Sequence, residues 1–152
     1  MSRRLANEAI RDNWEESGIM HFIGDKSIYI HVDDIWTEEE NLLTIVYEST
    51  YPFRPPSVTY EGKNILVFYR ELSNCSNKKI RDDISKLLGD SGCMCCSTLL
   101  CRNNWSVHNT IKNLLEEFEK FCQIKKRSVE RFWSDRIASR LLVEDIPLRE
   151  YL

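Results

Sequence analysis

The chain is expected to fold as one α+β domain over residues 1–152: an N-terminal helix, an antiparallel β-meander, a cysteine-bearing loop and C-terminal helices. Three observations predict this. Apolar residues recur at helical spacing near the start of the chain and again through its last third, whereas between Met20 and Tyr60 they alternate with period two. No internal repeat or linker-like stretch divides the sequence. With 42% hydrophobic and 30% charged residues, the composition is that of an ordinary globular domain able to bury one core without disulfides or metal.

The elements follow in order. Residues 2–16 read as a helix, with Ser2 as N-cap, Leu5, Ala9 and Ile10 at helical spacing and Gly18 as the stop. Four short β-runs come next: Met20–Ile23, Ser27–Val32, Leu42–Tyr47 and Ser57–Tyr60. Leu43, Ile45 and Tyr47 alternate onto one face, as a half-buried antiparallel strand requires. Gly24-Asp25-Lys26 and Thr37–Asn41 supply hairpin connections. In Tyr51-Pro52-Phe53-Arg54-Pro55-Pro56, three prolines hold the chain extended and cannot donate to a ladder, so Tyr51 and Phe53 either pack inward or recognise something. Ile65–Tyr69 reads as a fifth strand or a buried loop. Asn77–Leu88 reads as a helix with Ile80, Ile84, Leu87 and Leu88 on one face and Gly89 as its stop. Two closing helices are expected. One runs over residues 109–122 with Ile111, Leu114, Leu115 and Phe118 inward. The other runs over residues 128–142 with Phe132, Trp133, Ile137 and Leu141 inward.

Charge and leader chemistry narrow the function. Twenty-one basic and 24 acidic residues give a net charge of −3, which supplies no field for nucleic acid or an anionic membrane. No apolar run approaches the ~20 residues that span a bilayer. Asn7, Glu8, Arg11 and Asp12 stand where a signal peptide needs an apolar core. An intracellular protein, cytoplasmic or nuclear, is expected, and its six cysteines then point to metal binding or catalysis rather than a disulfide frame.

Four of these thiols, Cys93, Cys95, Cys96 and Cys101, fall within nine residues. They are small hydrophobes of a buried loop, or metal ligands, or a nucleophile with neighbours. As ligands, Cys93 and Cys96 form C-x-x-C, and Cys101 and His108 complete four soft donors for zinc. As a nucleophile, a thiolate accepts and passes on an acyl group, a task that needs no strong internal base. Spacing alone leaves the three open.

The run Leu43-Thr44-Ile45-Val46-Tyr47-Glu48-Ser49-Thr50-Tyr51-Pro52-Phe53-Arg54-Pro55-Pro56-Ser57-Val58-Thr59-Tyr60 resembles, without a gap, the third-strand signature L-T-I-x-F-P-x-x-Y-P-F-K-P-P-x-V-x-F of the ubiquitin-conjugating (E2) enzymes. Gly92-Cys93-Met94-Cys95, then Trp105-Ser106 and a helix, is similar to that family's catalytic segment and its W-S-P turn. The resemblance covers residues 2–60 and 92–122 and implies a UBC-like fold, with residues 61–92 as an enlargement. It implies that Cys95, or by a second alignment Cys96, carries ubiquitin or a ubiquitin-like protein as a thioester. The acyl group would come from an E1 activating enzyme and go to a lysine or an E3 ligase, with no cofactor consumed. Phe53 and Ser106 match positions that touch ligases, and Arg3, Arg4 and Arg11 lie on the helix that meets the activating enzyme. Three family features differ here: no H-P-N precedes the cysteines, Glu48 stands for the strand-ending proline, and Val107 for the proline of W-S-P. Asn103 or Asn104 is the nearest amide donor in sequence. The alternatives are a catalytically inactive E2 variant, an RWD-like interaction module, or a zinc-stabilised interaction domain.

Overall fold

A computed structural model describes residues 3–16, 19–21, 26–37, 39–89 and 92–138. Its first helix, α1 (Arg3–Arg11), buries Leu5 and Glu8. The helix ends earlier than residue 16 because Asn13 takes a positive φ of 48°, which breaks the α-helical path. The chain then folds back so that Trp14 donates its amide to Ala9 O at 3.1 Å and is itself buried. The proposed cap Ser2 and stop Gly18 lie outside the described residues, as do Gly24 and Asp25 of the first hairpin.

The period-two region forms an antiparallel meander: β1 (Ile19–His21), β2 (Ser27–Asp33), β3 (Glu40–Val46), β4 (Ser57–Tyr60) and a two-residue β5 (Lys63–Asn64), paired in that order. Leu43 faces Ile30 on one side and Tyr60 on the other, and Ile45 faces Ile28 and Val58. These residues, with Tyr47, make the buried face of the sheet, so the alternation read along the sequence is the alternation of burial.

Ile65–Tyr69 is neither strand nor buried loop. It is the start of α2 (Ile65–Ser73), which buries Ile65, Tyr69 and Leu72 at i, i+4 and i+7. Asn64 initiates it by accepting the Leu66 amide at 2.9 Å. The five-residue apolar run is too short to reveal its period; the stripe becomes helical only when Leu72 is included. α3 (Lys78–Leu88) forms where expected and buries Ile80 and Ile84, with Leu88 partly buried, but Leu87, expected on the same face, is 43% exposed. Asn77 accepts from the amides of Lys79 and Ile80 at 3.0 and 3.2 Å, and Gly89 turns the chain away at φ 80°.

After a single helical turn, α4 (Met94–Ser97), the two expected closing helices are one: α5 (Ile111–Ala138), 28 residues long. No glycine or proline interrupts it, and Gln123, Lys125, Lys126 and Arg127 are helix formers, so nothing ends it at Cys122. Ile124, Lys125 and Ser128 are buried across the supposed gap. Ile137, placed on the core face by its spacing, is 69% exposed, and residues 139–142 lie outside the description. The core sits between the sheet and α2, α3 and α5. Tyr60, Phe68 and Phe118 pack ring to ring there, with centroids 4.5–5.9 Å apart, and Tyr69 meets Phe121 edge-on at 4.8 Å. Among the described residues no helix is long and apolar enough to cross a membrane.

Candidate functional site

The cysteine segment is a single helical turn, α4 (Met94–Ser97), with Cys93 at its N-cap position. Met94 decides its orientation. This side chain is completely buried and draws the turn onto α2, which leaves the thiols of Cys93, Cys95 and Cys96 toward the surface. The backbone beneath them is fixed on every side. The Met94 amide donates to Ser73 Oγ at 2.8 Å, and that hydroxyl donates to Tyr69 O. Ser97 Oγ donates to Cys93 O at 2.8 Å. Asn104 Nδ2 donates to Cys96 O and Thr98 O at 2.8 and 3.0 Å.

Both amide hydrogens of Asn104 are therefore engaged by the turn itself. It organises the loop; it does not stand ready as a donor for a bound oxyanion. Asn103 is exposed. Below the turn, buried Thr98 donates its hydroxyl to Glu117 of α5, whose other oxygen accepts the Leu99 amide at 2.9 Å. Burial raises the Glu117 carboxyl above its ordinary value, against these two hydrogen bonds.

The sulfurs of Cys93, Cys95 and Cys96 lie within 4.8 Å of one another, and Cys95 and Cys96 are 3.8 Å apart. Cys96 is exposed; Cys93 and Cys95 are half-buried. Burial pushes the Cys95 thiol up to about 12, with the neighbouring thiols adding to the effect. Burial also acts on Cys93, but the thiols and amides of Cys95 and Cys96 outweigh it and hold its pKa below the ordinary cysteine value. The sequence had set Cys93 aside as a ligand; it sits at the head of the turn, where the following amides favour its thiolate.

The four-ligand set read from spacing is not the one assembled. Cys101 and His108 stand outside the thiol cluster, and Cys95, which that ligand set did not include, is inside it. The reason is the turn: a helix start places residues 93, 95 and 96 side by side, while the Cys101 carbonyl accepts the amides of Asn104 and Trp105 in the next bend. His108 is exposed and lines a groove with Arg4, Asn7 and Arg11. The cluster offers three thiol donors to a metal ion.

A second feature adjoins this turn. Trp105 Nε1 donates to Pro52 O at 2.7 Å, and its ring packs against Tyr51 with centroids 6.1 Å apart. The proline loop and the segment after the cysteines are thereby joined. Within the loop, the amides of Phe53 and Arg54 both donate to Thr50 O. This rigid frame leaves Phe53 79% exposed, and Ser106, next to the anchoring Trp105, is exposed as well.

Of the first-helix arginines, Arg3 is exposed. Arg4 is turned inward: it binds Glu8 at 2.8 Å and Asn109 O at 3.0 Å, and lies over the Tyr51 ring. Arg11 is held by Asp12. Glu8 went unnoticed in the sequence. Buried at 2% exposure, it accepts from Arg4, from the Tyr51 hydroxyl at 3.0 Å and from the Ile111 amide at 3.3 Å. A carboxylate three residues after Leu5, on the same helix face, was the only signal.

Comparison with protein-family models, with curated proteins and with solved structures yields no match in any of the three.

Proposed function

We propose that the chain is a UBC-like, E2-type protein that accepts ubiquitin or a ubiquitin-like protein as a cysteine thioester and hands it to a lysine or to a ligase. One observation carries this reading: the hydrogen bond from Trp105 to Pro52. It joins the two stretches on which the E2 resemblance rests, and does so beside the thiol turn. The order of elements, from helix through antiparallel meander and proline loop to cysteine turn and helix, agrees with it.

Of the two thiols left open by the sequence, Cys96 suits the accepting role, because it is exposed whereas Cys95 is half-buried. The Cys96 thiolate attacks the carbonyl of the thioester on the activating enzyme; the new C–S bond forms as the enzyme's thiolate leaves. An acceptor amine then attacks the same carbonyl, a C–N bond forms, the Cys96 thiolate departs, and the proton that the amine gives up passes to solvent. Phe53 and Ser106 form the ligase-docking surface. An aromatic on a stiff loop loses little conformational freedom on binding.

The engaged amide of Asn104 favours a second reading, a module that keeps the docking surface without the chemistry. One experiment separates them. The protein is incubated with activating enzyme, ATP and ubiquitin and run on a non-reducing gel. An adduct that thiol reductant removes, becoming reductant-resistant in Cys96→Ser and unchanged in Cys95→Ser, supports the first reading. Absence of any adduct, with Phe53-dependent ligase binding retained, supports the second.

A further inference from the structure

The sulfurs of the α4 turn form a donor set whose chemistry extends beyond acyl transfer. All three lie within 4.8 Å of one another, and none is tied up in a disulfide. An ion at a usual metal–sulfur distance of about 2.3 Å separates its sulfur ligands by about 3.8–4.0 Å. Cys95 and Cys96, at 3.8 Å, already stand at that separation. The backbone carrying them is held by buried Met94 and by the hydrogen bonds from Ser97 to Cys93 O, from Asn104 to Cys96 O and from the Met94 amide to Ser73. Little ordering remains to be done when a ligand arrives. Exposed Cys96 gives an ion a way in.

The donors are also few and uniformly soft. Among the described residues no histidine or carboxylate joins the three thiols at this range. Soft thiolates suit Cu(I) and zinc alike, but structural zinc takes four ligands, whereas Cu(I) is satisfied by three. We propose that Cys93, Cys95 and Cys96 form a three-thiolate site for Cu(I). Binding displaces the thiol protons to solvent and changes no oxidation state. The site rests on the placement of three sulfurs and not on the acyl-transfer reading; a Cys96 thioester and a bound ion would exclude one another, since both use the same sulfur.

The test uses the full chain, reduced by a phosphine under anaerobic conditions and titrated with Cu(I) held by bicinchoninate, a coloured competitor. One equivalent of copper per chain is expected to leave the competitor, with X-ray absorption showing three sulfurs around the metal. Serine at Cys93, Cys95 or Cys96 lowers the affinity by more than the about 10–100-fold that loss of an outer partner causes. Cys101→Ser and Cys75→Ser bind as the parent does, and circular dichroism establishes that each variant is folded. A copper affinity that falls by less than this in Cys93→Ser, Cys95→Ser or Cys96→Ser, or that falls equally in Cys101→Ser, overturns the proposal. So does a copper environment in the parent protein containing nitrogen or four sulfurs, a result that needs no variant.

Discussion

Phe53 and Glu117 show how differently two side chains are held. Phe53 is 79% exposed on a loop whose own hydrogen bonds do not involve its ring. Phe53→Ala therefore changes stability by no more than about 0.5 kcal/mol, the usual range for a surface position. On the proposed function, the same change weakens ligase binding by about 10-fold or more, as loss of an aromatic anchor does. Denaturant melts and ligase titrations on one preparation check both halves. Glu117 is the opposite case. Burial holds its folded pKa above the value it has when unfolded, so the stability it contributes is complete below the unfolded value. That stability is lost as pH rises through the folded value. In Glu117→Gln the amide oxygen can accept from Leu99 and the NH₂ can donate to the Thr98 hydroxyl. The denaturation midpoint of the parent is expected to fall relative to Glu117→Gln as pH climbs above the ordinary glutamate range. Parallel pH profiles for the two would contradict the assignment.

At the scale of elements, the sequence was legible where a short period or a special residue leaves one solution. Leu43, Ile45 and Tyr47 could alternate only as a strand, and Asn77 and Gly89 bracket α3 because each has a distinct job at a helix end. It was illegible where an element's type depends on neighbours. The stripe of α2 completes itself only at Leu72, and the join within α5 vanishes because Ile124, Lys125 and Ser128 are buried by the rest of the fold. The thiol cluster failed for a related reason: counting residues from Cys93 to His108 ignores the single turn that stacks three of the cysteines. The continuity of α5 has a direct test. Arg127 is exposed, so its side chain adds little, yet its backbone lies mid-helix. Arg127→Pro removes one i→i−4 hydrogen bond and clashes with the preceding turn, a loss of about 3 kcal/mol or more. A connection between two helices at 122–128 would have accepted the proline, and a loss under about 1 kcal/mol would restore that picture.

The whole molecule is tied together by a group that no local pattern revealed. Glu8 accepts from Tyr51, 43 positions away, and from Ile111, 103 positions away. Three segments thus converge on one carboxylate: α1, the proline loop that presents Phe53, and the start of α5. The arrangement has a physical logic, since a negative charge at a helix N-terminus meets unpaired amides and the positive end of the helix dipole. Arg4 completes it from the partly exposed side, binding Glu8 and reaching Asn109 O just before α5 begins. Because Tyr51 also packs on Trp105, a fault at Glu8 passes to the loop and from there to the segment beside the thiols. Glu8→Ala leaves the Tyr51 hydroxyl and the Ile111 amide without their acceptor, at a cost of about 2–4 kcal/mol. Tyr51→Phe removes one donor and keeps the ring, at about 1 kcal/mol. If the carboxylate is the junction, the double variant is less damaged than the sum, because the hydroxyl orphaned by the first change is absent in the second. Chemical denaturation of the four proteins in the cycle gives the coupling, and strict additivity would mean that the loop is positioned without Glu8.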